Sequence, residues 1–205
     1  MNIYVAILIS VIVGYFLGAI PFALVIGKVF FRKDIRNYGS GNLGGGNAGR
    51  VLGKKAGVAV MTMDILKVAL AVFVSSHFGY GEVTMIVAGM SAAIGHCFPV
   101  FARFKGGKAV AVMYGFLFGM MLCGPYSPLI FFLPLAVFLL VLYLWKIIAV
   151  ASIVSALAAT VFVGLTAFSV GMMIALLIFD VLIVWRHRSN IRRIIHHEEN
   201  KISWM

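Results

Sequence analysis

Seven long apolar segments dominate the sequence and constrain what it can fold into. They occupy residues 2–25, 56–76, 83–101, 109–123, 128–144, 147–165 and 167–185. Hydrophobic residues make up 63% of the 205 residues and charged residues only 11%, whereas a globular domain is about 45–50% apolar. A soluble domain of this length could not bury so much apolar surface, so we predict an integral membrane protein.

The segments are predicted to be transmembrane helices. The alternating ten-residue patterns of barrel strands are absent from the sequence, and an open sheet edge is unstable in lipid. A helical span needs about 20 apolar residues, and the fourth to sixth segments are short or closely spaced, so five or six spans are alternatives. We therefore predict an all-α protein with about seven transmembrane helices, forming one polytopic domain over residues 1–205.

The basic residues indicate the orientation. With the N-terminus outside, 16 of the 17 Lys and Arg residues fall in residues 27–55, residues 102–108, Lys146 and the tail from Arg186. The outside connections HFGYGE, GPYSP and TAF contain none. This asymmetry predicts a cytoplasmic C-terminus. The net charge of +11 lacks an accompanying base-stacking pattern, so no nucleic-acid partner is expected.

Ionisable residues inside the predicted spans are expected to face the protein interior. Lys67 follows Asp64 at i, i+3, on one helix face, so we expect the two to form a buried pair near a site. A structural ion pair, or a Lys67 that snorkels to the interface, is the alternative. Asp180 is expected to point inward as well. Cys97 and Cys123 lack metal-ligand spacing, and His196 and His197 lack further ligands, so no metal site is predicted.

The stretch GSGNLGGGNAGR, residues 39–50, interrupts the apolar pattern with six glycines. Glycine allows positive φ and close approach of backbone amides, and a run of such amides can bind an anion. Arg50 can clamp a phosphate, and Ser40, Asn42 and Asn47 can add hydrogen bonds. A flexible linker is the less favoured alternative, because basic residues flank the stretch and asparagine recurs within it.

A second polar stretch, GHCFPVFARFKGGKAVA, covers residues 95–111. Gly106 and Gly107 precede Lys108 and an apolar helix, and a helix N-terminus after glycines favours an anion. Neither stretch matches the Walker pattern GxxxxGK[ST], so an ATPase is not expected. His96, at the edge of a span, is expected to be packed and hydrogen-bonded.

The tail WRHRSNIRRIIHHEENK places His187, Asn190 and Arg193 on roughly one helical face. It could lie on anionic lipid headgroups, or His187 and Asn190 could close over a site formed by the two glycine stretches. Two basic glycine cradles beside an apolar bundle suggest an enzyme that acts on lipid headgroups. An anion transporter is less favoured, since no polar track or inverted repeat is evident.

These stretches, with GAIPFALVIGK (residues 18–28), DILK (64–67) and RHRSNIRR (186–193), resemble the bacterial acyl-phosphate:glycerol-3-phosphate acyltransferases. The resemblance covers nearly the whole chain. It implies about seven spans in the bacterial cell membrane, motifs facing the cytoplasm, and no metal, nucleotide or other cofactor. It also implies transfer of an acyl chain from acyl phosphate to the sn-1 hydroxyl of glycerol 3-phosphate, giving lysophosphatidic acid and phosphate without an acyl-enzyme.

The resemblance further implies roles for individual residues. Lys108, His187 and Asn190 would be catalytic, with the latter two contacting glycerol 3-phosphate. The residues expected to bind substrate or phosphate are Gly39, Ser40, Gly41, Asn42, Gly44, Asn47, Arg50, Gly106, Gly107 and Ser152. No Ser-His-Asp set is evident, so positioning of both substrates and charge stabilisation are expected to suffice.

Several positions depart from the family pattern. Four family hydroxyls are replaced by Ala19, Gly46, Val112 and Ala149, and Ala109 stands where the family usually has glycine. Each lost hydroxyl near a substrate could cost about 1–3 kcal/mol. The alternative function is therefore a catalytically weakened paralogue that binds a lipid precursor or regulates a partner.

Overall fold

The computed structural model describes residues 1–166 and 169–202, and these ranges contain helices and no strand. The helices are α1 (Ile3–Gly18), α2 (Phe22–Phe31), α3 (Gly45–Leu52), α4 (Lys54–Ser76), α5 (Glu82–Cys97), α6 (Val110–Cys123), α7 (Leu129–Trp145), α8 (Ile148–Thr166), α9 (Val170–Arg186) and α10 (Arg188–Ile195). Short 3₁₀ turns cover Ile35–Asn37 and Val100–Ala102. The all-α prediction is confirmed.

Four helical stretches are long and apolar enough to cross a membrane, and they are Ile3–Phe31, Lys54–Ser76, Glu82–Ala102 and Ile148–Thr166. The pair α9 and α10, bent by 57°, is a fifth candidate, while α6 and α7 are shorter apolar helices. Each predicted apolar segment thus contains a helix, and the described residues give four or five candidate spans. Ala167 and Phe168, in the predicted TAF connection, lie outside the described residues.

The first apolar segment differs from its predicted extent of residues 2–25. Helix α1 ends at Gly18, and α2 begins at Phe22 and continues to Phe31. Pro21 stands at the N-cap of α2, where its missing N–H removes no helical hydrogen bond but stops continuation of α1. Lys28 is expected in a loop, but it lies in the last turn of α2. A lysine is favourable there because it interacts with the negative end of the helix dipole.

The chain divides into two compact units, Met1–Gly124 and a second that begins at Pro125. In the first unit, α1 packs on α5, and α4 packs against α3, α5 and α6. In the second unit, α8 packs against α7 and α9. The two glycine stretches belong to the first unit and the polar tail belongs to the second.

Small residues bring the helices of the first unit into backbone contact. A Cβ on Gly14 would lie 2.3 Å from the carbonyl oxygen of Ala88, and one on Gly18 would lie 2.1 Å from that of Ala92. Helices in lipid lack a hydrophobic driving force for association and depend on such close packing. The glycines of α1 therefore determine how closely α5 can approach it.

In the second unit, a hydrogen bond between polar side chains joins α8 to α9. Asp180 is buried, as its place in an apolar span predicts, and the Thr160 hydroxyl donates to its Oδ2 at 2.6 Å. The sequence did not indicate this partner, because twenty residues separate the two. The contact satisfies one carboxyl oxygen inside the helix pair.

Gly57 and Gly49 offer a matched test of the contact between α3 and α4. A Cβ on Gly57 would lie 2.6 Å from Gly49 Cα, whereas the nearest atom to a Cβ on Gly49 is Gly57 Cα at 3.7 Å. We predict that Gly57→Ala destabilises the protein by about 1–3 kcal/mol through overpacking. Gly49→Ala should leave thermal unfolding in detergent unchanged or slightly raised. Equal destabilisation by both variants would contradict this packing.

Candidate functional site

The glycine-rich stretch is part loop and part helix. Gly39 and Gly41 have φ values of 60° and 68°, the left-handed conformation that glycine adopts easily. The chain then enters α3 at Gly45, which differs from the expectation of a continuous loop up to residue 50. Ala48 and Leu52, four residues apart, are buried in one apolar cluster with Val60 of α4. That spacing was the sequence signal for a helix.

Asn47 supports the loop from inside. Its Oδ1 accepts a hydrogen bond from the Ser40 amide at 2.9 Å, and its Nδ2 donates to the carbonyls of Ile35 at 3.4 Å and Tyr38 at 3.2 Å. The residue is only 3% exposed. Its side chain therefore binds backbone groups of the loop, and the expected contact with phosphate stays a prediction.

A run of backbone N–H groups remains available between the loop and α3. The amides of residues 42–46 have no hydrogen-bond acceptor within the described ranges. The first amides of a helix have no intrahelical acceptor, and the helix dipole adds partial positive charge there. This segment can therefore bind the oxygens of an anion.

Polar side chains around this segment are accessible. Ser40 and Arg50 are exposed, and Asn42 is half-buried. The Arg50 guanidinium has no hydrogen bond or ion pair with any residue that the structure describes. Its donors can therefore turn to a ligand without breaking an internal contact.

An ion pair precedes the loop. Arg36 donates to both carboxylate oxygens of Asp34, at 2.9 Å from Nε and 2.6 Å from Nη2. This hydrogen bonding lowers the pKa of Asp34 from 3.8 to about 2. The stabilisation by a lowered carboxyl pKa is complete above 3.8 and is lost as the pH falls through about 2. Asp34 is therefore ionised at neutral pH, and Arg36 is held by it.

A buried ionic cluster, made of Asp64, Lys67 and His96, lies at the meeting of three helical segments. The Lys67 ammonium lies 2.7 Å from Asp64 Oδ1 and 3.1 Å from His96 Nδ1, and it donates to the Ile20 carbonyl at 2.8 Å. All three side chains of the cluster are buried. His96 is packed and hydrogen-bonded as expected, but sequence reasoning missed its contact with the ion pair, because 29 residues separate it from Lys67.

His96 also contacts the second glycine stretch. The Gly107 amide donates to the His96 carbonyl at 3.0 Å. A Cβ on Gly107 would lie 1.9 Å from His96 Nε2, and one on Gly106 would lie 2.1 Å from the His96 carbonyl oxygen. These glycines permit close packing on His96, and the Gly107 amide is already engaged. Lys108 follows at once and is half-buried.

The tail residues belong to the second unit, at the bend between α9 and α10. His187 is buried, and its Nδ1 lies 2.8 Å from the Ile183 carbonyl, which can only accept. Asn190 Nδ2 donates to Glu199 Oε1 at 2.6 Å, and Arg193 Nε donates to Glu199 Oε2 at 2.7 Å. Sequence reasoning missed Glu199, which orders the polar face that the spacing predicts.

The remaining predicted positions are mostly buried. The Ser152 hydroxyl donates to the Ile148 carbonyl of its own helix at 2.7 Å. Of the four positions where the family resemblance implies a replaced hydroxyl, Ala19, Val112 and Ala149 are buried, and Gly46 is exposed. Three of the four implied replacements would thus put apolar groups at buried positions.

Comparisons with known proteins agree along almost the whole chain. A profile of the family described as Glycerol-3-phosphate acyltransferase matches residues 8–197. A glycerol-3-phosphate acyltransferase of Lactococcus lactis is 40% identical over 204 residues, covering 96% of this chain and 93% of the relative. One from Listeria monocytogenes is 43% identical over 196 residues, covering 95% and 96%.

Two solved structures are also similar. Both are crystal structures of PlsY (YgiH), an integral membrane glycerol 3-phosphate acyltransferase. The glycerol 3-phosphate form is 34% identical with a TM-score of 0.88, and 96% of each chain is covered. The lysophosphatidic acid form is 32% identical with a TM-score of 0.85, covering 96% of this chain and 95% of the other.

Asn47→Ala is predicted to loosen the glycine loop. The substitution removes three hydrogen bonds and leaves the Ile35 and Tyr38 carbonyls without that donor, a loss of about 1–3 kcal/mol in the free energy of unfolding. Asn42→Ala is the control, because no described residue hydrogen-bonds its side chain. Thermal unfolding should therefore shift for Asn47→Ala alone, and an equal shift in the control would refute the assignment.

Ala109 is predicted to carry backbone strain. It is the N-cap of α6 with a φ of 64°, a conformation that disfavours a side chain. Ala109→Gly should therefore stabilise the protein by about 1 kcal/mol. Ala136→Gly, at an exposed position within α7, should destabilise it by about 1 kcal/mol. Unfolding shifts of the same sign in both variants would be inconsistent with strain at Ala109.

Proposed function

Because the chain belongs to the glycerol-3-phosphate acyltransferase family, we propose that it acylates the sn-1 hydroxyl of glycerol 3-phosphate with an acyl phosphate donor. The products are lysophosphatidic acid and inorganic phosphate. The solved relative PlsY is described in a glycerol 3-phosphate form and a lysophosphatidic acid form, which supports the acceptor and the product.

The main observation that supports this proposal is the run of backbone N–H groups at residues 42–46. They lie at the positive end of α3, have no acceptor within the described part of the chain, and are followed by the exposed Arg50. Backbone amides and a guanidinium are suited to phosphate oxygens. We assign phosphate binding to this segment, with Gly39, Ser40 and Gly41 shaping its approach.

Lys108 supplies the second cationic group. It follows Gly106 and Gly107 and stands two residues before the N-terminus of α6. A half-buried ammonium can neutralise the charge that develops on a departing phosphate more strongly than a fully hydrated one. We assign Lys108 to the phosphate group of the donor.

Polar side chains of α8 and of the tail are also assigned to the acceptor. His187 and Asn190 match the polar pair of the family tail, and Ser152 is the hydroxyl in the stretch AVAS near the start of α8. We assign the His187 ring to glycerol 3-phosphate, and the Ile183 carbonyl orients this ring through Nδ1. Glu199 orients Asn190 for the same role.

The chemistry requires no covalent enzyme intermediate. The sn-1 oxygen attacks the acyl carbon, the bond from that carbon to the phosphate oxygen breaks, and the departing phosphate accepts the proton of the hydroxyl. Acyl phosphate is already activated, so positioning and charge neutralisation supply the catalysis. Cys97 is buried in an apolar helix and has no role in this scheme.

The charge distribution supports a proposal for the membrane arrangement. We propose that all seven apolar segments cross the bacterial cell membrane, with the N-terminus outside and both glycine stretches at the cytoplasmic face. The polar substrates would then come from the cytoplasm and the acyl chain from the lipid.

A catalytically weakened paralogue is the second candidate, favoured by the apolar replacements at Ala19, Val112 and Ala149. Such a protein would still bind glycerol 3-phosphate or the lipid precursor. Its turnover would be far below that of an active relative, and Val112→Thr, which restores one hydroxyl, should raise that turnover.

Purified protein with palmitoyl phosphate and glycerol 3-phosphate is predicted to release phosphate and form lysophosphatidic acid. Lys108→Ala and Arg50→Ala should each lower kcat/KM by about 100-fold, because each removes a cation from a phosphate group. Lys105→Ala, at an exposed position near the same turn, is the control and should stay within about threefold, since it loses only a surface charge. No turnover in the parent, beside an active relative, would favour the paralogue.

A further inference from the structure

We propose that His96 is a positioning residue that determines where Lys108 stands, and that the Asp64–Lys67 pair acts through it. The kinetic part of this inference rests on the proposed function, whereas its structural part does not. It concerns one continuous set of contacts within the first unit, from Asp64 to the turn that carries Lys108.

The contacts of Lys67 define the orientation of the His96 ring. An ammonium can only donate, so His96 Nδ1, 3.1 Å from Lys67 Nζ, is the acceptor and its proton is on Nε2. Lys67 is itself held by Asp64 Oδ1 at 2.7 Å and by the Ile20 carbonyl at 2.8 Å. These partners come from α4 and from the residues between α1 and α2, so Lys67 is fixed from two segments. Rotation of the His96 ring would break its contact with Lys67.

The opposite edge of the ring supports the turn. The three atoms nearest to a Cβ built on Gly107 are His96 Nε2 at 1.9 Å, Cε1 at 2.6 Å and Cδ2 at 2.9 Å. The Gly107 amide also donates to the His96 carbonyl at 3.0 Å. The side chain and the main chain of His96 therefore both fix the residue that precedes Lys108.

The burial of this cluster favours a positional role over a purely stabilising one. Taking charges out of water is costly, and replacing a buried ion pair with apolar residues is often neutral or stabilising. A displacement of about 1 Å near the reacting atoms can lower a rate by about 100-fold. A role in fixing Lys108 therefore accounts for a buried ionic cluster, whereas a contribution to stability alone does not.

A double-mutant cycle tests the contact between His96 and Gly107. Gly107 lacks the positive φ that would exclude a side chain, so His96 is the obstacle to Gly107→Ala. We expect Gly107→Ala to lower the unfolding temperature in the parent and to have little further effect in His96→Ala. Gly106→Ala is the control, because its Cβ would meet the carbonyl oxygens of His96 and Cys97, which His96→Ala leaves in place.

A second cycle tests whether His96 acts through Lys108. Lys108→Ala should lower kcat/KM by about 100-fold in the parent but by less than about tenfold in His96→Ala, where the ammonium is already misplaced. His96→Asn keeps a side-chain acceptor for Lys67 and should recover part of the activity that His96→Ala loses. A purely structural role would not produce this dependence on Lys108.

The outcomes separate the two proposals. If the losses from His96→Ala and Lys108→Ala multiply, or if Gly107→Ala is equally harmful with and without His96, the positioning role is overturned. If the parent shows no turnover, the proposed function fails, and the unfolding cycle alone then decides whether His96 fixes the turn. Coupling in that cycle supports the contact, and its absence overturns it.

Discussion

The structure of the first unit depends on pairing two opposite charges inside apolar helices. Asp64 and Lys67 pair on one face of α4, and Lys67 finds further partners in the Ile20 carbonyl and His96. The Ile20 carbonyl is available because α1 ends before Pro21, so that this carbonyl lies outside the α-helical hydrogen-bonding pattern. The irregular backbone between α1 and α2 and the ion pair on α4 therefore stabilise each other.

Glycine has two distinct functions in this protein, and the sequence suggests only one of them. Gly39 and Gly41 adopt positive φ in a loop beside free amides, as the motif predicts. Gly57 and Gly107 instead permit close contact with Gly49 and His96. Packing on α4 also makes a helix of residues 45–52, although glycine has low helix propensity. Tertiary packing determines both the close glycine contacts and the helix at residues 45–52, and a local sequence pattern does not predict either.

Local patterns were sufficient to predict a helix in each apolar segment, the inward position of Asp180 and the polar face of the tail. They were insufficient for contacts between residues far apart in sequence. Asn47 is expected to contact phosphate, and the sequence did not indicate that its side chain also binds backbone groups of Ile35 and Tyr38. His96 joins Lys67 across 29 residues, and Glu199 orders Asn190 from beyond the helix. Residue type and spacing identify candidates, but only the fold separates ligands from their supports.

The central claim is that backbone amides at the start of α3 bind the phosphate of the substrate. A structure of the protein with glycerol 3-phosphate bound tests it most directly. The account predicts phosphate oxygens within about 3 Å of amide nitrogens in residues 42–46, with the Arg50 guanidinium turned toward them. A phosphate held only by other basic side chains, with those amides facing solvent or protein, would contradict it.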